Sequence, residues 1–104
     1  MSIKRRRVRL TDVARRDLRQ QADFIRQRDD DAAISFIQDL ISKIYQLAAT
    51  GVTGSGRSFL PTHVRAFPYR GRCFYFTVDN VTFTVLRVLH SAQDVKAIVF
   101  ELPE

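Results

Sequence analysis

The chain has 104 residues, of which 45% are hydrophobic and 11% aromatic, a composition that predicts one folded domain over residues 1–104. No apolar run reaches the roughly 20 residues of a membrane-spanning helix, and none follows the charged N-terminus, so neither a membrane span nor a secretory signal is expected. A cytoplasmic protein is therefore predicted. The net charge is +6, and ten of the 17 Lys and Arg residues fall in the first 28 positions. Such a surface attracts nucleic acid or an acidic protein.

The first predicted element is a short strand over residues 4–10. Val8 and Leu10 alternate with Arg5, Arg7 and Arg9, so one face of the strand is apolar and the other is basic. A row of arginines suits an edge strand, where charge discourages unwanted pairing, and it also suits a binding surface. The sequence leaves both interpretations open.

Two amphipathic helices are predicted next. Thr11 is the expected N-cap of the first, which should end near Arg28. Its apolar side consists of Ala14, Leu18, Ala22 and Ile25, and its opposite side carries Arg15, Arg16, Arg19 and Arg26. The acidic run 29–31 offers a cap for the second helix, whose apolar residues recur at helical spacing through Leu47. So short a connection predicts an antiparallel helical hairpin.

The glycine-bearing segment 51–56 ends the second helix. Because it lacks the Gly-Lys-Ser/Thr sequence that leads a phosphate-binding loop into a helix, it is interpreted as a connector. The only cysteine, Cys73, excludes an internal disulfide and agrees with a reducing compartment. It lies in an apolar run without a neighbouring His, so a strand residue is predicted rather than a nucleophile. No metal or cofactor site is predicted.

Three strands complete the chain. The first, 64–67, is predicted to end at Pro68, the second spans 72–78, and the third spans 82–90 after a turn at 79–80. The predicted class is therefore α+β with the order β-α-α-β-β-β, in which an N-terminal helical hairpin packs on an antiparallel sheet.

These elements together resemble the ParE/RelE superfamily of bacterial toxins over nearly the whole chain. The resemblance rests on Arg9-Leu10-Thr11 at the first helix, on Val64-Arg65-Ala66-Phe67-Pro68, on Arg72-Cys73-Phe74-Tyr75, and on Val85-Leu86-Arg87-Val88-Leu89-His90 followed by Asp94. It implies the toxin of a type II toxin–antitoxin system. The ParE branch implies poisoning of DNA gyrase, whereas the RelE branch implies ribosome-dependent cleavage of mRNA.

The two branches make different chemical demands. Cleavage of RNA through its 2′-hydroxyl needs a base, an acid and cations on the phosphate. Tyr75 and His90 are candidate proton carriers, but residues 58–95 contain no Lys, which departs from the RelE pattern and favours gyrase poisoning. The ParE pattern is also incomplete, because Ser91-Ala92-Gln93 replace the basic residues that usually follow its last strand.

Gyrase poisoning requires binding rather than catalysis by this chain, so no catalytic residue is assigned. The predicted target contacts lie on or beside the strands: Arg65, Arg70, Arg72, Arg87 and His90. Arg87 also alternates with Phe83, Val85 and Leu89, which makes it a candidate for a paired structural arginine. A backbone-bonded histidine at the end of a strand is the structural alternative for His90.

The resemblance implies a cognate antitoxin, expected to use an acidic, disordered segment that folds on binding. Arg15, Arg16 and Arg19 would supply complementary charge, although a solvated basic helix face would have the same pattern. A homodimer of the free protein is left open. The competing classes are an mRNA endonuclease, a plain nucleic-acid-binding module, and a degenerate toxin that only binds its antitoxin.

Overall fold

Six elements make up the fold of the computed structural model, which describes residues 5–51, 53–56, 61 and 63–90. In chain order they are β1 (Arg7–Leu10), α1 (Asp12–Arg26), α2 (Asp30–Thr50), β2 (Arg65–Tyr69), β3 (Arg72–Val78) and β4 (Thr82–His90). The predicted α+β class and element order are confirmed. The predicted strand start at Lys4, the run 91–93 and the tail from Asp94 lie outside the described residues.

Both helices begin at the predicted polar caps. The Thr11 hydroxyl accepts the backbone N–H of Ala14 at 3.1 Å, and the Asp29 carboxylate accepts that of Ala32 at 3.1 Å. Each cap satisfies a donor that the first helical turn leaves without a partner. α2 ends at Gly51, whose φ of 72° gives the left-handed backbone of a helix C-cap.

Two predicted boundaries are corrected. α1 ends at Arg26 rather than near Arg28, because the backbone N–H groups of Arg28 and Asp29 both bond to the Ile25 carbonyl and turn the chain. β2 continues through Pro68 instead of stopping before it.

Proline fits in β2 because this strand lies at an edge of the sheet. Ala66 exchanges two backbone hydrogen bonds with Ser55 on the outer side of the strand. Pro68 lies two residues further along, so the position of its missing N–H also faces outward, away from β3.

The sheet is mixed, which corrects the predicted antiparallel arrangement. Its strand order is β1-β4-β3-β2. The three C-terminal strands form an antiparallel meander, but β1 runs parallel to β4, with Arg7 opposite Thr82 and Leu10 opposite Val85. The alternation of apolar side chains in β1 fits either direction equally well, so the sequence pattern did not distinguish them.

The helical hairpin packs on one face of this sheet, as predicted. The core between them includes Phe74, Phe76 and Phe83 from the strands, with Leu40 and Ile44 from α2. The rings of Phe76 and Phe83 stack at a centroid distance of 4.3 Å. No helix in the described part of the chain is long and apolar enough to cross a membrane.

A β-bulge in β4 changes which side chains share a face. Tyr75 is opposite Arg87, whereas the next residue of β3, Phe76, is opposite Val85, so Leu86 is the extra residue. The prediction that Arg87 and Leu89 alternate in step with Phe83 and Val85 is therefore wrong, since they lie opposite Tyr75 and Cys73. Leu89 belongs instead to a second apolar cluster with Val64, Ala66, Tyr75 and Leu86.

Candidate partner-contact site

Two of the predicted contact residues lie opposite each other at one end of the sheet. Arg72 begins β3, and His90 ends β4 as its cross-strand partner. Side chains of directly paired residues project to the same face, and Arg72 alternates with Phe74 and Phe76, so this is the face that carries the helices. We call this region, with the adjoining turn at 70–71, the turn end of the sheet.

The Arg72 side chain lies between the two helices and is held by both. Its Nε donates to Gln21 Oε1 at 3.0 Å, and Gln21 Nε2 in turn donates to the Val88 carbonyl at 2.8 Å. The guanidinium carbon lies 4.7 Å from the ring centroid of Phe36 on α2, a cation–π contact. Partial burial lowers the pKa of Arg72, but a guanidinium remains protonated in proteins.

Arg87 forms a bidentate ion pair with Asp17 of α1. Its Nε donates to Asp17 Oδ2 at 2.7 Å and its Nη2 to Oδ1 at 2.8 Å. The Asp17 side chain is 7% exposed and also accepts the backbone N–H of Val88 at 3.1 Å. The hydrogen bonds to Asp17 raise the pKa of Arg87 further above its usual value, more than burial lowers it. The prediction of a paired structural arginine is confirmed.

Arg70 occupies the turn between β2 and β3 and is shared with α2. Its Nη1 donates to Asp39 Oδ2 at 3.0 Å, while the Tyr69 hydroxyl donates to Asp39 Oδ1 at 2.8 Å. The hydrogen bond to Asp39 is the main reason that the pKa of Tyr69 is raised. The charge of Arg70 is therefore partly compensated, although its side chain is 70% exposed.

Arg65 lies away from the turn end. It starts β2 opposite Phe76, and its guanidinium donates to the carbonyls of Thr53 at 2.9 Å and Gly54 at 3.0 Å. Its side chain thus fastens the connector after α2 to the sheet. The structure places Arg72 opposite His90, with Arg70 in the adjoining turn. Arg87 lies opposite Tyr75 and Arg65 opposite Phe76, so neither belongs to the turn end.

The three arginines predicted to meet an antitoxin are exposed on α1. Arg15, Arg16 and Arg19 lie on the side of the helix away from Ala14 and Leu18, which face the core. They form a surface distinct from the turn end.

The sequence analysis did not single out the two α1 residues that hold these arginines, Asp17 for Arg87 and Gln21 for Arg72. They are four residues apart and therefore lie on one side of the helix, next to its apolar stripe. That spacing was a usable signal, because a polar pair bordering an apolar stripe faces the rim of the surface on which the helix packs.

No group of His, Cys, Asp and Glu among the described residues is arranged to hold a metal ion.

Comparison with known proteins finds one matching family model and a solved structure of similar fold. The family model for the ParE toxin of the type II toxin–antitoxin system parDE matches residues 8–95. A solved structure of the chromosomal ParDE system from P. aeruginosa superposes with a TM-score of 0.67 at 20% sequence identity, covering 83% of this chain and 96% of that chain. At that identity the likeness shows a shared fold. No curated protein sequence matches the chain significantly.

Proposed function

This chain belongs to the ParE toxin family of type II toxin–antitoxin systems, and from that premise we propose that it arrests growth by poisoning DNA gyrase and blocking replication. A cognate antitoxin is proposed to neutralise it. Poisoning traps the target in one state of its cycle, so it requires preferential binding to that state and no nucleophile on the toxin. Arg72 and His90 at the turn end are the proposed centre of target contact.

The pairing of Arg87 with Asp17 is the structural observation that favours binding over catalysis. Stabilising the crowded phosphate of an RNA-cleaving transition state needs cations that are not already neutralised. Arg87 has its charge compensated by a nearly buried carboxylate. Arg65 is occupied by two loop carbonyls and lies away from the turn end.

One of the two candidate proton carriers of an RNase, Tyr75, is also poorly placed. Tyr75 is 5% exposed and belongs to the apolar cluster on the sheet face opposite the helices. It therefore does not share a face with Arg72 and His90, so Tyr75 and His90 do not form an acid–base pair beside Arg72. This arrangement supports the non-catalytic proposal.

The decisive experiment is controlled induction of the chain in bacteria, with separate pulse-labelling of DNA and protein synthesis in the first minutes. We expect DNA synthesis to fall first, while translation continues and cells become filamentous. When purified gyrase and DNA are incubated with the protein, complexes of gyrase with cleaved DNA should accumulate. The Arg72→Gln variant should accumulate fewer, and Arg26→Gln, which removes an exposed arginine paired with Asp23 on α1, should match the wild type.

A ribosome-dependent mRNA endonuclease is the second candidate, because Arg72 and His90 do place a cation opposite a titratable side chain. It predicts that translation stops first and that mRNA is cut. That outcome would reject gyrase poisoning while leaving membership of the toxin family intact.

A further inference from the structure

Three arginines, two at the turn end and Arg87 on the neighbouring part of β4, differ in their ionic partners. Arg87 is compensated by Asp17 and Arg70 by Asp39. Within the described residues Arg72 has no carboxylate partner, and its acceptor there is the neutral amide oxygen of Gln21, bonded to Nε. Its terminal nitrogens Nη1 and Nη2 have no hydrogen-bond acceptor in the described part of the chain.

The guanidinium of Arg72 is nevertheless held in one orientation. Gln21 fixes the Nε side of its plane and is itself tied to the Val88 carbonyl, and the Phe36 ring supports the group at 4.7 Å. A planar guanidinium held in this way presents its terminal nitrogens as a fork without further loss of side-chain freedom on binding. Carboxylates and phosphates match such a fork.

The surroundings favour a carboxylate from a protein. Nucleic acid is bound by several uncompensated cations that follow its phosphates, whereas two of the three arginines here already have acidic partners. Phe24 lies one helical turn beyond Gln21 on α1, and its residue surface is 66% exposed. Gln21 therefore links an arginine that has no carboxylate partner among the described residues to a helix that exposes an aromatic ring one turn further on. A segment that carries an acidic and an apolar side chain together is complementary to this combination.

We propose that Arg72 is a carboxylate-binding residue for an acidic segment of a partner protein, with Gln21 as its positioning residue and Phe24 as the flanking apolar contact. This inference rests on the proposed function, in which that partner is the cognate antitoxin. Neutralisation would then follow from occupation of the residue that meets the target. The surface differs from the Arg15, Arg16 and Arg19 face, which contributes charge without a fixed fork.

The test is an NMR titration of the full-length ¹⁵N-labelled chain, made by cell-free synthesis, in which the Nε–H signal of Arg72 is followed. The probe is the acetylated, amidated tripeptide Leu-Glu-Phe, and the matched probe Leu-Gln-Phe lacks only the charge. We expect a saturable shift with the acidic peptide and at least about fivefold weaker binding of the neutral one, since bonds to a charged acceptor are stronger.

Three variants separate positioning from mere charge. Gln21→Glu should abolish the shift, because a carboxylate next to Nε compensates the charge of the guanidinium, and Arg72→Lys should weaken binding although the charge is kept. Arg26→Gln, which removes an equal charge from the outer side of α1, should bind as the wild type does. The amide spectrum of each variant verifies its fold.

The proposal is overturned if the acidic peptide gives no saturable shift, or if Arg26→Gln weakens binding as much as Gln21→Glu. Tighter binding of inorganic phosphate than of the acidic peptide would also overturn it and assign the fork to nucleic acid. None of these readouts depends on toxicity, so a failure of the gyrase proposal, seen as continuing DNA synthesis, is distinguishable from a failure here.

Discussion

At the scale of single residues, two glycines with left-handed backbone differ in how closely their surroundings pack against them. Gly54 and Gly71 have φ values of 63° and 76°. A Cβ at Gly54 would lie 2.7 Å from Phe76 Cζ and 2.8 Å from the Ala66 carbonyl oxygen, whereas a Cβ at Gly71 would meet nothing within 4 Å. The first glycine is required by both conformation and space, and the second by conformation alone.

Gly54→Ala is therefore expected to lower the free energy of unfolding by about 3 kcal/mol, the sum of left-handed strain and displacement of a core ring. Gly71→Ala should cost only about 1 kcal/mol. Urea unfolding of both variants measures the difference. Equal losses would show that close packing against Phe76 is not what fixes the connector.

The Tyr69–Asp39 hydrogen bond should make the stability of the fold depend on pH. Because the folded-state pKa of Tyr69 is raised by this bond, the bond contributes stability below the unfolded pKa of about 10. That contribution is lost as the pH rises through the higher folded pKa. Asp39→Asn should shift the tyrosinate absorbance titration of the chain to lower pH.

Arg70→Gln provides the control of opposite sign. Its guanidinium lowers the pKa of Tyr69, so removing it should move the same titration to higher pH. Shifts in the same direction for both variants would refute the assigned causes. Tyr69→Phe identifies the component of the curve that belongs to this residue.

At the scale of elements, the attachment of α1 to β4 depends on Asp17. This carboxylate accepts both prongs of Arg87 and the backbone N–H of Val88. Asp17→Asn should lower the free energy of unfolding by about 3 kcal/mol, because it leaves a partly buried guanidinium without its counter-charge.

The combined change Asp17→Leu with Arg87→Met should recover much of that loss, since replacing both members of a buried pair with apolar residues is often close to neutral. Chemical denaturation of the single and double variants measures this. A double variant no more stable than Asp17→Asn would show that the pair contributes more than mutual compensation.

Local patterns in the sequence predicted most of the elements. Thr11 and Asp29 cap the helices as expected, and the alternation Phe74, Phe76, Val78 correctly identified the core face of β3. The parallel pairing of β1 was not predictable, because a four-residue strand with alternating faces carries no signal of direction.

The candidate site was predictable only in part. Strand order placed Arg72 and His90 near each other, since both lie at the ends of adjacent meander strands. The bulge at Leu86 left no local mark and moved Leu89 to the other face. The bonds from α1 to Arg72 and Arg87 are tertiary contacts spanning 51 and 70 residues, which local periodicity does not report.

At the scale of the whole molecule, fold stability and growth inhibition are expected to depend on different arginines. The Arg87→Gln variant should show reduced fold stability and reduced growth inhibition, because the buried Asp17 carboxylate is left without its partner. Arg72→Gln should lose growth inhibition while its free energy of unfolding stays within about 1 kcal/mol of wild type, since it gives up one neutral-acceptor hydrogen bond and one cation–π contact.

Thermal unfolding and an induced-growth assay on the same two variants test this separation. Full growth inhibition by a stable Arg72→Gln chain would remove Arg72 from the proposed target contact. A marked loss of stability in that variant would instead assign Arg72 to the framework, together with Arg87.

The position of β4 between β1 and β3 has a consequence for how the chain is made. Ribosomes release the N-terminus first, so β1 and both helices emerge well before the strand against which they pack. Arg7 cannot pair with Thr82, its partner in β4, until the 75 residues that follow Arg7 have been synthesised. The helical hairpin can form locally, but its apolar side is not fully covered until Phe83, Val85 and Val88 of β4 have been added to the core. A nascent chain that has not yet reached Thr82–His90 therefore lacks the strand that joins β1 to β3, and its sheet is incomplete.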